Sequence, residues 1–393
     1  MTTAPRLSPT DLASLDSLLT EDEKSVRSSV RQLCTDRIDP FVAEWFEAGT
    51  IPGIRDLAKE LGSLGVLGMH LEGYGCAGMT ATEYGVACLE LESTDSGIRS
   101  LVSVQGSLAM FAIWKWGSEE HKQQWLPAMA EGSAIGCFGL TEPDHGSDPG
   151  SMLTRARRQG DDWILDGRKM WITNSPVADV AVVWAQTDDG VRGFVVPTNT
   201  PGFSAPEIKH KLSLRASITG EIVLDSVRLP DSAAFPEVRG LKGPLACLNE
   251  ARYGIVWGAM GAARSSLEAA LSYATERTQF GRPIGGFQLT QQKLADMSLE
   301  YTKGMLLAIH LGRMKDAGTL RPEQVSLGKL NNVREALEIC RTARTILAAN
   351  GISLEYPVIR HMNNLESVLT YEGTVEMHTL VIGQALTGIP AFR

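Results

Sequence analysis

The hydrophobic pattern of the chain changes twice along its length, and these changes limit its possible folds more than any other feature. Residues 1–136 favour helices. Residues 137–240 carry short apolar or alternating runs cut by turn residues, a pattern typical of a compact β domain. In residues 241–393 apolar side chains again recur at three- and four-residue spacing, as in helices. The pattern predicts an α+β fold with an N-terminal helical domain, a middle β domain and a C-terminal helical bundle.

Local sequence signals place several helix ends. Thr20 followed by Glu23 has capping-box spacing, and Ser8 followed by Pro9 predicts a short first helix. Further helices of the N-terminal domain are expected over residues 53–65, 82–92 and 101–116. In the C-terminal domain long helices are expected over about 245–274, 289–315 and 322–350. Two shorter helices, divided by residues 371–374, complete a predicted antiparallel bundle.

Composition and charge exclude some classes of protein. The formal net charge of -9 argues against nucleic acid as the main partner, because phosphate binding favours a basic surface. No stretch reaches the roughly 18 apolar residues of a membrane span, and no signal or transit peptide is recognisable, so we expect no membrane insertion. The six cysteines lack zinc spacing, so we expect no metal site and reduced thiols in a cytoplasmic protein.

A glycine-rich segment matches a dinucleotide-binding pattern but lacks its context. Gly73, Gly75 and Gly78 fit G-x-G-x-x-G, and Asp95 lies at the distance of a ribose-binding acid. The pattern requires a preceding strand and a following helix within a βαβ unit, and residues 61–71 make no convincing strand. We therefore expect a glycine-rich loop before a helix.

Four ordered segments carry a specific resemblance. They are FGLTEPDHGSD at 138–148, WITN at 171–174, RTQFG at 277–281 and YEGT at 371–374. They resemble the TEPxxGSD, WITN, RxQFG and YEGT segments of the acyl-CoA dehydrogenase family, and the match spans nearly the whole chain. The glutaryl-CoA dehydrogenase branch of that family is further resembled at residues 95–100, 174–176, 212–217, 350–353 and 387–392.

The resemblance implies Glu372 as the catalytic base. In this family a proton leaves the carbon next to a thioester and a hydride leaves the following carbon, so a positioned base and an electron acceptor are both needed. A carboxylate in a desolvated site binds its proton more tightly, which suits proton abstraction. Without the resemblance, a glutamate before Gly373 between two helices is usually a solvated loop residue.

The resemblance also implies FAD as the cofactor. Trp171 would cover one face of the flavin, and Thr141 and Thr173 would satisfy its polar edge. Without the resemblance, Trp171 would be expected in the core of the β domain. The chain has Ala348-Ala349 where the branch usually has Gly-Gly, and a methyl group limits backbone approach there. The implied FAD-binding residues are Phe138, Leu140, Thr141, Gly146, Ser147, Trp171, Ile172, Thr173, Arg277, Phe280, Gln288, Leu347, Thr374 and Glu376.

Arg99 is the residue implied to select the substrate. A guanidinium can grip the distal carboxylate of glutaryl-CoA bidentately, whereas a fatty acyl tail needs no cation. Two alternatives assign purely structural roles. In one, Arg99 pairs with Glu92 or Asp95, and in the other, Arg252 lies on a helix surface. The residues implied to contact the acyl-CoA substrate are Arg99, Ser100, Ser147, Leu245, Leu248, Asn249, Arg252, Tyr371 and Gly373, with Glu92 behind them.

The implied activity is FAD-dependent α,β-dehydrogenation of glutaryl-CoA with decarboxylation to crotonyl-CoA and CO2, as in lysine and tryptophan catabolism. The resemblance implies an electron-transfer flavoprotein as the electron acceptor and a homotetramer as the assembly. A non-decarboxylating or other short-chain acyl-CoA dehydrogenase is the nearest alternative. A flavoprotein oxidase on the same scaffold and a non-catalytic binding protein are alternatives from other functional classes. The fold alone does not separate these alternatives, because function resides in the site.

Overall fold

A computed structural model describes Ser8 and residues 10–391. By its internal contacts the chain forms two compact units. The first contains the described residues up to Glu47, together with Ala81–Arg99 and the described residues from Arg252 onward. The second contains Ala48–Thr80 and Ser100–Ala251. Among the described residues, no helix combines the length and apolar character needed to cross a membrane.

Helices account for most of the first unit and part of the second. In chain order they are α1 (Glu21–Arg37), α2 (Val42–Ala48), α3 (Ile54–Ser63), α4 (Ala81–Thr94), α5 (Ser96–Ser103), α6 (Phe111–Trp116), α7 (Glu119–Ala130), α8 (Lys242–Glu276), α9 (Gln288–Asp316), α10 (Pro322–Leu347), α11 (Val358–Thr370) and α12 (Val375–Thr387). A π-helical segment, Val104–Met110, joins α5 to α6.

The strands belong to the second unit, except for one short hairpin of the first. They are β1 (Glu72–Gly73), β2 (Cys76–Ala77), β3 (Gly136–Gly139), β4 (Arg155–Gln159), β5 (Asp162–Thr173), β6 (Val180–Thr187), β7 (Gly190–Pro197), β8 (Phe203–Ser204), β9 (Thr219–Pro230), and the hairpin strands β10 (Thr278–Gln279) and β11 (Arg282–Pro283). A larger sheet runs in the order β3-β6-β4-β5-β9-β8, with β7 on β6.

The central strand β6 explains why the β zone reads as apolar runs. Val180, Val182 and Trp184 enter one hydrophobic core of the second unit. Their neighbours Ala181 and Val183 enter the other core. A strand covered on both faces needs apolar residues at every position, so it loses the alternation expected of a half-exposed strand.

The helix ends follow the sequence signals in part. The capping box of Thr20 and Glu23 is present at the start of α1. Pro9 lies outside the described residues; the first described helical turn is a 3-10 helix at Leu15–Leu18, where the Asp11 carboxylate accepts from the Leu15 N–H. The expected end of α10 near residue 350 was wrong, because Ala348 takes a left-handed φ of 52° and the chain continues as a 3-10 helix.

The glycine-rich segment forms the small hairpin of β1 and β2, in which Glu72 pairs with Ala77 and Gly73 with Cys76. Helix α4 follows at Ala81. The local structure is therefore a turn before a helix, as expected, and the strand–turn–helix of a dinucleotide site does not form here.

Candidate active site

A tight turn between α11 and α12 carries Glu372. The backbone of Glu372 is left-handed, with φ of 54°, and Gly373 follows with φ of 102°. A Cβ at Gly373 would lie 2.8 Å from Nε2 of His378, so glycine is required there. Thr374 caps α12, its hydroxyl accepting from the Met377 N–H at 3.3 Å. The turn therefore fixes the glutamate in a conformation that non-glycine residues seldom adopt.

The carboxylate of Glu372 lies in a shielded environment. Its Oε2 atom is buried and has no hydrogen-bond partner among the described residues. Burial raises the pKa of this carboxyl above its usual value, and the positive charges of Arg99, Lys329 and Arg252 oppose the rise. The alternative of a solvated loop carboxylate is wrong, because this oxygen is shielded from water. An unpaired buried oxygen on a carboxyl with a raised pKa is suited to taking up a proton.

Arg99 is fully buried and only partly satisfied. Its Nε donates to Oε2 of Glu92 at 2.6 Å, and its Nη2 donates to the Tyr371 hydroxyl. Nη1 of Arg99 and Oε1 of Glu92 have no partner within the part of the chain that the structure describes. Burial acts to lower the pKa of Arg99, but Glu92, Tyr371 and Glu372 raise it well above the ordinary value. The guanidinium is therefore charged, and its Nη1 atom has no hydrogen-bond acceptor among the described residues.

The expected pairing of Arg99 with an acid is thus correct for Glu92 but not for Asp95. Asp95 accepts instead from Arg360 Nη1 and Asn364 Nδ2, each at 2.8 Å, and from the Gly97 N–H at 2.7 Å. These bonds fix the first turn of α5. The ion pair and the free donor coexist, so pairing with Glu92 leaves a ligand-binding role for Arg99 open.

Two further cationic side chains hold the backbone of the turn. Arg252, predicted as a channel residue, donates from Nε to the carbonyl of Glu372 at 2.7 Å, so it is not a surface arginine. Lys329 donates from Nζ to the carbonyls of Tyr371 and Gly373 at 2.5 and 2.7 Å. The sequence reasoning missed Lys329. Its position on α10 between the buried Val325 and Val333, where a lysine is unusual, was an available signal.

In the second unit, the end of β5 presents an exposed aromatic side chain. The register shifts between Lys169 and Ile172, and within this bulge Trp171 adopts a left-handed φ of 62°. The indole is 58% exposed, so the alternative that places it in the β-domain core is wrong. A bulge re-aims a side chain, and a large exposed indole offers a flat surface to a planar ligand. Thr173 is half-buried beside it.

The loop after β3 is supported by a buried ion pair. Thr141 accepts the Met170 N–H at 2.8 Å through its carbonyl, which joins the loop to β5. Glu142 accepts from Lys169 Nζ at 2.9 Å, and Lys169 also donates to the Leu140 carbonyl at 3.1 Å. Burial lowers the pKa of Lys169 to about 8, against the attraction of Glu142. The loop is thereby held in place beneath its exposed end at Gly146 and Ser147.

The remaining predicted site residues differ in how far their side chains are exposed. In the second unit Phe138, Leu140, Ile172 and Ser100 are buried, Leu248 and Asn249 are half-buried, and Leu245 is exposed. In the first unit Leu347 is buried, and Arg277, Gln288 and Glu376 are exposed. Phe280 lies at the tip of the β10–β11 hairpin and is 95% exposed.

Three family models match the chain in order. The acyl-CoA dehydrogenase N-terminal domain matches residues 20–133, the middle domain matches 137–227, and the C-terminal domain matches 239–387. The matched segments cover the helical, β and helical zones in turn.

Solved structures and characterised relatives agree with these matches. The crystal structure of a glutaryl-CoA dehydrogenase from Mycobacterium smegmatis is 70% identical, with a TM-score of 0.97, over 99% of this chain and 100% of that one. A second M. smegmatis glutaryl-CoA dehydrogenase, in complex with FADH2, is 64% identical over the same shares, with a TM-score of 0.97. The mitochondrial short-chain specific acyl-CoA dehydrogenase of Bos taurus is 34% identical over 93% of this chain and 90% of its own length. The chain therefore belongs to the acyl-CoA dehydrogenase family.

Proposed function

We propose that this chain is an FAD-dependent glutaryl-CoA dehydrogenase that forms crotonyl-CoA and CO2. The observation that carries the proposal is the free Nη1 of Arg99, buried in the same cluster as the unpaired Oε2 of Glu372. A buried, charged guanidinium with an unused donor is costly unless a ligand completes it. The distal carboxylate of glutaryl-CoA supplies an acceptor of the right charge, whereas butyryl-CoA does not. The similarity to solved glutaryl-CoA dehydrogenases supports the same substrate.

In this proposal Glu372 removes the proton from the carbon next to the thioester. Its raised pKa makes it a stronger base than an ordinary carboxylate, and its free oxygen is the atom that takes the proton. When bound, FAD supplies the acceptor for the hydride from the next carbon. The exposed Trp171 and the half-buried Thr141 and Thr173 suit a planar, polar-edged ring, and we assign them to FAD together with the other residues that the resemblance implies.

The proposal extends to partners and location. An electron-transfer flavoprotein would accept the electrons. A homotetramer would cover exposed apolar side chains such as Phe280. The resemblance implies that Arg277 and Gln288 reach the FAD of a neighbouring subunit. All six cysteines are free thiols, which suits a reducing compartment, and we place the enzyme in the cytoplasm. The predicted domain limits at 136/137 and 240/241 form part of the same proposal.

Product analysis tests the substrate and the reaction together. Purified FAD-bound protein is incubated with glutaryl-CoA and an excess of electron acceptor, and CoA thioesters and CO2 are quantified by mass spectrometry. Crotonyl-CoA and CO2 in equal amounts are expected. A five-carbon enoyl-CoA that keeps its distal carboxylate, formed without CO2, would show a non-decarboxylating enzyme. Turnover of butyryl-CoA alone would support the short-chain activity named for the bovine relative.

The Glu372→Gln variant tests the base. The amide keeps the shape of the side chain and loses the ability to take a proton, so the loss is expected in the chemical step and not in substrate binding. Stopped-flow mixing with excess glutaryl-CoA should show binding without appreciable bleaching of the flavin. Bleaching at close to the wild-type rate would remove Glu372 from this role.

A further inference from the structure

The turn that carries Glu372 is held through its backbone by buried cations. Lys329 Nζ binds the carbonyls of Tyr371 and Gly373, and Arg252 Nε binds the carbonyl between them. Consecutive carbonyls thus point at charged donors instead of at water. Hydrogen bonds to charged groups are about twice as strong as neutral ones, so these bonds can stabilise an unfavourable backbone conformation.

The conformation that they hold is the one that the proposed chemistry needs. A left-handed glutamate costs about 1–3 kcal/mol and persists only where its surroundings enforce it. Lys329 is 1% exposed, and its ammonium group lies 5.9 Å from the centre of the Tyr371 ring. The lysine therefore braces the turn on both sides of Glu372 without using any atom of the carboxylate.

Resting on the function proposed above, we propose that Lys329 is the positioning residue of Glu372: it fixes the turn for proton abstraction and supplies a positive charge that favours the ionised base. Lys329 is the only lysine in the sequence of α10. A lysine suits the task because its amine carries more than one N–H, in either protonation state, and can serve both carbonyls.

The electrostatic surroundings support the second part of this role. Burial lowers the pKa of Lys329 to about 7, Glu372 opposes the shift, and Arg252 and Arg99 add to it. Burial lowers the pKa of His378 on α12 to about 3, so this neighbour stays neutral at ordinary pH. The charged and titratable groups that face Lys329 are thus Glu372, Tyr371, Arg252, Arg99 and His378.

Losing the charge of Lys329 should shift the pKa of Glu372 in one direction only. The charge of Lys329 lowers the pKa of Glu372, so losing it should raise that pKa further. Because the base must be ionised, the pH profile of flavin reduction should then move to higher pH. Neutral Lys329 still donates both hydrogen bonds, so wild-type enzyme keeps its braced turn above pH 7, whereas a variant without Nζ remains slow at every pH.

The test compares Lys329→Met, Lys329→Arg and the exposed control Lys303→Met in FAD-bound enzyme. Lys303 lies on α9 and pairs with Glu300 at the surface. Methionine follows the lysine side chain to its Cε position and lacks the amine. Single-turnover flavin reduction is measured against pH with glutaryl-CoA and with butyryl-CoA, and substrate affinity is taken from the concentration dependence of the rate.

Lys329→Met should slow reduction by about a hundredfold with both substrates, since small misplacements of a reacting group have effects of this size. Affinity should change less than about threefold, and the profile should move up by about one pH unit. Lys329→Arg restores charge and donors, so it should recover most of the rate without an upward shift. Lys303→Met should match wild type.

Three outcomes would overturn the inference while leaving the proposed function intact. One is a Lys329→Met variant that matches Lys303→Met. Another is a slow Lys329→Met variant whose profile does not move and which Lys329→Arg does not improve, because that indicates a packing role only. If Lys329→Met does not retain FAD, Lys329→Arg decides, and an upward shift of its profile would overturn the inference. Wild-type enzyme that reduces flavin with neither acyl-CoA would instead overturn the proposed function together with this inference.

Discussion

Glu90 and Glu92 lie on the same helix, α4, and both are buried carboxylates paired with arginine. The Glu90 oxygens accept from both Arg264 terminal nitrogens at 2.7 Å and from Arg31 at 2.9 Å. In the second pair, Glu92 Oε2 accepts from Arg99, whereas Glu92 Oε1 and Arg99 Nη1 have no partner among the described residues. One carboxylate is thus fully bonded and the other belongs to an incomplete pair.

The difference separates a structural network from a binding site. Buried polar atoms in native proteins nearly always find partners, and an isolated buried charge is strongly destabilising. The Glu90 network satisfies this rule within the protein. The Glu92–Arg99 pair violates it beside Glu372, and a ligand carboxylate is the simplest group that would complete it.

The largest expected effect on stability is at Glu90. In Glu90→Gln the side chain keeps its size and loses its charge, leaving the guanidinium of Arg264, whose side chain is 10% exposed, without its counter-charge. Breaking a buried pair in this way costs about 3–5 kcal/mol. Urea unfolding at pH 7 with saturating FAD measures the loss.

Glu268→Gln is the matched control, because Glu268 approaches Arg264 only at 4.0 Å and its side chain is 52% exposed. An exposed pair is worth about 0–1 kcal/mol. If both variants lost the same stability, Glu90 would not be the centre of a structural network.

A smaller effect should appear on acidification. Burial acts to raise the pKa of Glu90, but Arg264 and Arg31 bring it down to about 2. A depressed carboxyl pKa stabilises the fold above the unfolded-state value, near 4.5, and this stabilisation is lost as the pH falls towards about 2. The loss is roughly 3 kcal/mol, since one pKa unit corresponds to about 1.4 kcal/mol.

The measurement is the free energy of unfolding of wild type and Glu90→Gln between pH 6 and pH 3. The gap between them should narrow as the pH falls through about 4.5, because the unfolded wild-type chain then binds a proton at Glu90 that the folded chain does not bind. Curves that stay parallel over this range would argue against a depressed pKa.

The smallest expected change concerns Glu92→Gln. The amide oxygen can still accept from Arg99 Nε, so the arginine is held less firmly but is not lost. The specificity constant for glutaryl-CoA should fall by about tenfold, equivalent to about 1.4 kcal/mol, and that for butyryl-CoA should fall less. Equal losses for both substrates would mean that Glu92 supports the fold and not the arginine's hold on a carboxylate.

Sequence reasoning located the features that depend on local or strongly patterned signals. The capping box at Thr20, the long helices α8 and α9 and the turn at Glu372 belong to this class. It did not identify α2 and α7, which are short or weakly amphipathic, or the long strand β9, whose residues pair with distant β5. Long-range pairing leaves little trace in a local pattern.

The same division holds for the candidate site. The resemblance pointed to Glu372, Arg99 and Arg252, and the structure brings these three together in one unit. The free donor of Arg99 and the bracing of the turn by Lys329 arise from residues far apart in sequence, so no spacing rule reveals them.

The Arg99→Met variant tests most directly the claim that this guanidinium reads the substrate carboxylate. The specificity constants for glutaryl-CoA and butyryl-CoA are measured in wild type, in Arg99→Met and in Arg31→Met, whose arginine belongs to the Glu90 network. Stranding one partner of a buried charge pair costs about 2–5 kcal/mol. The glutaryl-to-butyryl ratio should therefore fall by about thirtyfold to several thousandfold in Arg99→Met and stay unchanged in Arg31→Met. An unchanged ratio in Arg99→Met would contradict the assignment of glutaryl-CoA as the substrate.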